Sequence, residues 1–136
     1  MKLILILATM LLANLAFAGG VKVVAGPGVP DKTISSEELK QIILGNKQYW
    51  SNNKRIVLFL GRKGSADRKL ALGVAGMSEL VFNRHWVGKQ FRGEARPPKT
   101  FMSVGFGVDL AKNVEGSLMI TSDSAQTSGL ETISVK

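Results

Sequence analysis

Residues 56–72 read IVLFLGRKGSADRKLAL, and their interpretation settles the class of the fold. Ile56 to Leu60 is a continuous apolar run, the pattern of a strand covered on both faces. Gly61-Arg62-Lys63-Gly64 then breaks the run, and Ser65 stands where a helix over Ala66 to about Val74 needs its cap, with Leu70 and Val74 on one stripe and Gly76 as the stop. A strand delivered through a glycine turn into a capped helix is the repeating unit of α/β proteins. The turn itself, GRKGSADR (residues 61–68), has two readings. It is a serine-capped turn in solvent, or a cradle in which helix N–H groups, the Ser65 hydroxyl and the Arg62 or Lys63 charge meet an anion. Its spacing is not that of a P-loop.

The flanking sequence extends the same architecture. Val21 to Ala25 (VKVVA) is a strand closed by Gly26-Pro27-Gly28-Val29-Pro30, and Ser35 with Glu38 has capping-box spacing ahead of a helix from about Ser36 to Leu44. Leu39, Ile42 and Ile43 form that helix's inner face. Asn46 to Arg55 is a polar loop anchored by Trp50, with Tyr49 also packing. Ser78 and Glu79 open a further helix, SELVFNRHWVGKQF, in which Leu80, Val81, Trp86, Val87 and Phe91 are expected to form a broad buried face. Pro97-Pro98 enforces an extended connection over Gly93 to Thr100. A helix is expected from Ser103 to Val114, weakened by Gly105 and Gly107, and strands over Ser117 to Thr121 and Glu131 to Val135. The expected whole is α/β, a small mixed sheet covered by helices.

Residues 1–18 have the three parts of a secretory signal peptide: Met1-Lys2, an apolar run from Leu3 to Leu15, and the A-x-A pattern Ala16-Phe17-Ala18. Cleavage after Ala18 leaves residues 19–136, one domain, in the periplasm. The absence of cysteine excludes thiol chemistry, cysteine metal sites, disulfides and a lipobox anchor.

The net charge of +8 is concentrated in the middle of the chain, where thirteen Lys or Arg between Lys40 and Lys99 face three acids, Asp67, Glu79 and Glu94. Such a field attracts anions without choosing among them, and export disfavours nucleic acid as a partner. Membrane contact, if any, is peripheral. Ser65 lacks the G-x-S-x-G elbow because Lys63 and Asp67 occupy the glycine positions, and the single histidine, His85, reads as a half-buried structural residue beside Trp86. No catalytic set, metal cluster or cofactor site is assembled from these residues. Arg92, Arg96 and Lys99 around Pro97-Pro98 have two readings, a basic ridge and, ahead of it, an ordinary solvated loop.

Five stretches in this order, VKVVAGPGVP (21–30), ISSEELKQIILGNKQYW (34–50), KRIVLFLGRKGSADRKLAL (54–72), RPPKT (96–100) and NVEGSLMITS (113–122), resemble the phosphate ABC-transporter substrate-binding family. Glu38 to Trp50 carries the most specific part, with the helix, Gly45, Lys47 and Trp50 in sequence. The resemblance implies one lobe of a type 2 periplasmic binding protein and a phosphate or related oxyanion gripped at Arg62 and Ser65, the nearest equivalents of the family's residues; together with the reading of the turn, the candidate anion site is Arg62, Lys63, Gly64, Ser65 and Ala66. It further implies a non-enzymatic role linked to a transporter, with a second lobe or second copy completing the site. Ala66 and Asp67 stand where such relatives carry Gly and Thr, which removes a hydroxyl and adds a negative charge. The competing reading is a lobe without ligand, a basic module that docks on an acidic protein or an anionic lipid surface.

Overall fold

A computed structural model describes residues 20–136; the leader assigned to residues 1–18 lies outside them. Strand β1 (Val21–Ala25) is followed by the short β2 (Thr33–Ile34) and helix α1 (Ser36–Ile43). Strand β3 (Val57–Gly61) leads into α2 (Ala66–Ala75) and α3 (Glu79–Phe91). Then come β4 (Lys99–Phe101), α4 (Val104–Ala111), β5 (Ser117–Ser122) and β6 (Glu131–Val135). Six strands form one sheet in the order β2-β6-β1-β5-β3-β4. Strand β1 runs antiparallel to both neighbours, β5 and β6, whereas β5, β3 and β4 are mutually parallel. The small mixed sheet under helices expected from the sequence is therefore present.

Two strands add to the expected order. Thr33 and Ile34 pair parallel with the chain's last strand, and the Ser36 N–H donates to the Lys136 carbonyl. Lys99 to Phe101 pairs parallel with β3, so the connection expected to be merely extended becomes a sheet edge immediately after Pro97-Pro98.

Strand alternation divides the apolar side chains between two layers. Val23, Leu58, Leu60, Leu118 and Ile120 meet α1, α2 and α3 in the main core, while Val24, Phe59 and Met119 meet α4 in a thinner one. Helix α1 begins as its cap predicts: the Glu38 N–H donates to Ser35 Oγ at 3.0 Å, and Leu39, Ile42 and Ile43 are buried. The reciprocal half of the capping box is replaced, because the Glu38 carboxylate pairs with Lys47 at 3.2 Å. Trp50 anchors its loop as expected, buried with its indole N–H donating to the Gly116 carbonyl at 2.9 Å.

Helices α2 and α3 are each rotated from the expected face. In α2 the buried residues are Ala71, Leu72 and Ala75, with Leu70 and Val74 half-buried. The two alanines have no bulk to hold the helix off β5 and β3, so the alanine face is the one that seats. In α3 the buried positions are Phe82, Trp86 and Lys89, at helical spacing, and of the five residues expected inside only Trp86 is buried. Leu80, Val81 and Val87 are exposed, and Phe91 is 92% exposed. The largest aromatics decide the orientation: Phe82 and Trp86 contact each other edge to face, and Trp86 donates to the Ile43 carbonyl at 3.2 Å. Helix α4 is shorter than expected, ending at Ala111, with Val108 and Ala111 buried and Val104 and Val114 at the margin of the thin core.

Candidate functional site: an anion turn at the carboxyl edge of the sheet

Because β3, β4 and β5 are parallel, their carboxyl ends share one edge, the edge at which open α/β sheets place ligands. The turn from Arg62 to Ser65 stands there. It starts on β3, whose ladder continues for one residue as the Arg62 N–H donates to the Phe101 carbonyl at 3.2 Å. The Ser65 N–H closes the turn on the Arg62 carbonyl at 3.0 Å, and Gly64 sits at φ 87°, a left-handed conformation that favours glycine. Gly61 has a steric reason as well. A Cβ there would lie 2.5 Å from Ser65 Oγ and 3.0 Å from the Arg68 nitrogen, so only glycine lets the helix start fold back against the strand end.

Ser65 caps α2 in extended conformation, its Oγ accepting from the Arg68 N–H at 3.1 Å. The hydroxyl proton remains available to donate, and the Ala66 and Asp67 N–H groups belong to the opening turn that has no intrahelical acceptor. Arg62, Lys63, Gly64 and Ala66 are exposed and Ser65 is half-buried, so the five residues singled out from the sequence form one contiguous surface. Arg62 and Lys63 make no ion pair among the described residues. Arg68 is committed elsewhere: it holds Glu79 through two hydrogen bonds of 3.1 Å and lies over the Phe82 ring at 4.8 Å, locking α2 to α3.

Asp67 has a structural task that its position in the turn does not announce. Its Oδ1 accepts from Thr121 Oγ1 at 2.7 Å and from the Ser122 N–H at 3.0 Å, fastening the start of α2 to the tip of β5. The carboxylate that replaces a hydroxyl in the resemblance is thus turned toward β5 and hydrogen-bonded there. A second helix start adjoins the turn. Phe101 pairs with Gly61 in the β4 register, and two residues later Ser103 caps α4, its Oγ accepting from the Phe106 N–H at 3.3 Å. Two helix N-termini, on opposite faces of the sheet, therefore open at the same edge. Sequence reading missed this because it did not make Lys99-Thr100-Phe101 a strand; the β-branched and aromatic pair just before a serine cap was the available signal.

The site is an open one. None of the residues from Arg62 to Ala66 lines the concavity beside Trp86 and Pro97-Pro98 or the shallower one next to it. His85 is half-buried and its Nε2 hydrogen-bonds the Leu44 carbonyl at 2.6 Å, a contact to the end of α1 that involves no residue of the turn. No group of three or more metal-ligating side chains exists among the described residues, and no described helix is long and apolar enough to cross a membrane.

Comparison with known proteins identifies the architecture. No protein-family model matches the chain, and no curated protein matches it in sequence. Solved structures do. An ABC-type phosphate transport receptor from Vibrio cholerae superposes with a TM-score of 0.66 at 14% identity, over 86% of this chain and 46% of that one. A putative phosphate ABC transporter substrate-binding protein with bound phosphate, from Clostridium perfringens, gives 0.66 at 16% identity, over 86% and 45%. PstS from Borrelia burgdorferi gives 0.65 at 17%, over 87% and 47%. This chain thus spans a little under half the length of each. The fold is that of one lobe-sized half of a phosphate-transport receptor, as the resemblance in the sequence implied.

Proposed function

We propose that this is an exported, periplasmic anion-binding protein, without enzymatic activity, that holds phosphate or a related oxyanion at the turn from Arg62 to Ala66. The observation that carries this reading is the turn's composition in this fold: free helix N–H groups, the Ser65 hydroxyl and two cations with no ion pair among the described residues, at the carboxyl ends of the parallel strands β3, β4 and β5. The solved neighbours are phosphate-transport proteins about twice as long, and our reading gives the site's other wall to a second lobe, a second copy or a transporter component. Alone, an exposed anion is screened by salt and binds weakly.

Calorimetric titration of the purified protein with phosphate and then sulfate tests the reading. One-site heat is expected, reduced about tenfold in affinity or more by Arg62→Ala, as loss of a charge-assisted contact implies, and unmoved by Lys40→Ala on α1. Equal losses from both variants would sink it.

The exposed stripe on α3, with Leu80, Val87 and Phe91 uncovered beside the basic middle of the chain, favours a second reading, a module that docks on an acidic partner or anionic lipid. Under that reading many Lys and Arg substitutions have similar small effects and binding fades steeply with salt.

A further inference from the structure

At the other end of β3, where β3 and β4 begin, the molecule has a concavity of about 340 Å³ that the phosphate reading does not use. Its floor is apolar, made by Ile42, Ile56, Leu58 and Trp86, and Pro97-Pro98 forms one wall. Trp86 already donates its indole N–H to the Ile43 carbonyl, so what it offers a ligand is ring surface. The rim carries four cations, Lys47, Arg55, Arg96 and Lys99, and no carboxylate lines the cavity.

Three of those cations have no acidic partner among the described residues: Arg96 and Lys99 are exposed, and half-buried Arg55 lies over the Tyr49 ring at 5.6 Å. The nearby acids are already engaged. Glu38 holds Lys47 at 3.2 Å, and Glu94 takes Arg92 at 2.7 Å and Lys89 at 3.6 Å.

We infer that this cleft binds a small soluble amphiphilic anion, an apolar ring or short chain bearing one carboxylate, sulfonate or phosphate group. The apolar floor separates this ligand from free phosphate, which has nothing to place on carbon. The unpaired cations separate it from a neutral hydrophobe. The volume, near the lower end of the roughly 300–1,000 Å³ typical of ligand pockets, suits one ring system and not a length of peptide. The site is independent of the Arg62 turn.

The test is an NMR titration of the ¹⁵N-labelled purified protein with naphthalene-2-carboxylate, its neutral analogue 2-naphthalenemethanol, and inorganic phosphate. Saturable shifts are expected at the Gly45, Lys47, Ile56 and Lys99 amides and the Trp86 indole for the carboxylate alone. Arg96→Ala and Lys99→Ala, both at exposed positions, are each expected to weaken it roughly fivefold, the worth of one solvent-accessible ion pair, with the thermal midpoint unchanged; Arg62→Ala is expected to have no effect. Equal binding of the neutral analogue overturns the inference, as do shifts spread over the whole basic surface or none at millimolar probe. Sedimentation with phosphatidylglycerol vesicles that depends on Arg96 while the soluble probe fails also overturns it, in favour of a membrane-facing contact.

Discussion

Asp67 shows how one side chain serves both the architecture and the chemistry of the turn. Its two hydrogen bonds to the β5 tip fix where α2 begins, while its charge sits in the first turn of the helix at which we propose that an anion binds. These roles separate by substitution. Asp67→Ala leaves Thr121 and the Ser122 N–H without their acceptor and is expected to cost about 1–3 kcal/mol in urea unfolding. Asp67→Asn retains an acceptor oxygen and removes the charge, so phosphate affinity should rise while stability falls by less. At this scale the sequence was legible where partners are close in the chain: Ser65, Gly64 and Arg62 sit within four residues of each other and of the cap they form. It was not legible for Asp67, whose partners lie 54 and 55 residues away and declare themselves only once β5 is beside α2.

Among the elements, α3 separates pattern from packing. Apolar residues occur nearly all round it, so periodicity alone did not choose the buried side; Phe82, beneath Arg68 of α2, and Trp86, bonded to the end of α1, did. Replacing Phe82 by Ala should cost roughly 3–5 kcal/mol, as for a buried aromatic, whereas Leu80→Ser or Phe91→Ser should stay within about 0.5 kcal/mol; chemical denaturation of the three variants checks the orientation. The corner after α3 carries a pH signature. The Arg92 guanidinium hydrogen-bonds Glu94 and holds its carboxyl below the usual glutamate range, while Glu94 raises Arg92. A depressed folded value means that the pairing contributes above the unfolded pKa and is lost as pH falls through the folded one. An NMR titration of Glu94 should therefore show a low midpoint that moves up in Arg92→Ala, with little change in stability because both groups are exposed. Both added strands share one cause of illegibility: β2 and β4 are two and three residues long, too short for alternation to show, and exist because a neighbouring strand end is there to pair with.

For the whole molecule, the layered α/β class was readable because strand and helix patterns alternate along the chain and their caps are explicit. The order of strands was not, since β1, first in sequence, inserts antiparallel between the last two. On the far side of β5, β3 and β4 continue the sheet in parallel and gather the Arg62 turn and the Ser103 cap at one edge. The function proposed for the molecule follows from that edge, and the phosphate-transport structures that share the fold are about twice as long. The measurement that tests it most directly is amide shift mapping of the ¹⁵N-labelled protein with phosphate at low salt. Saturable shifts centred on Gly64, Ser65, Ala66 and Asp67, lost in Arg62→Ala, are the predicted result; shifts that avoid this turn, or remain in that variant, would contradict the account.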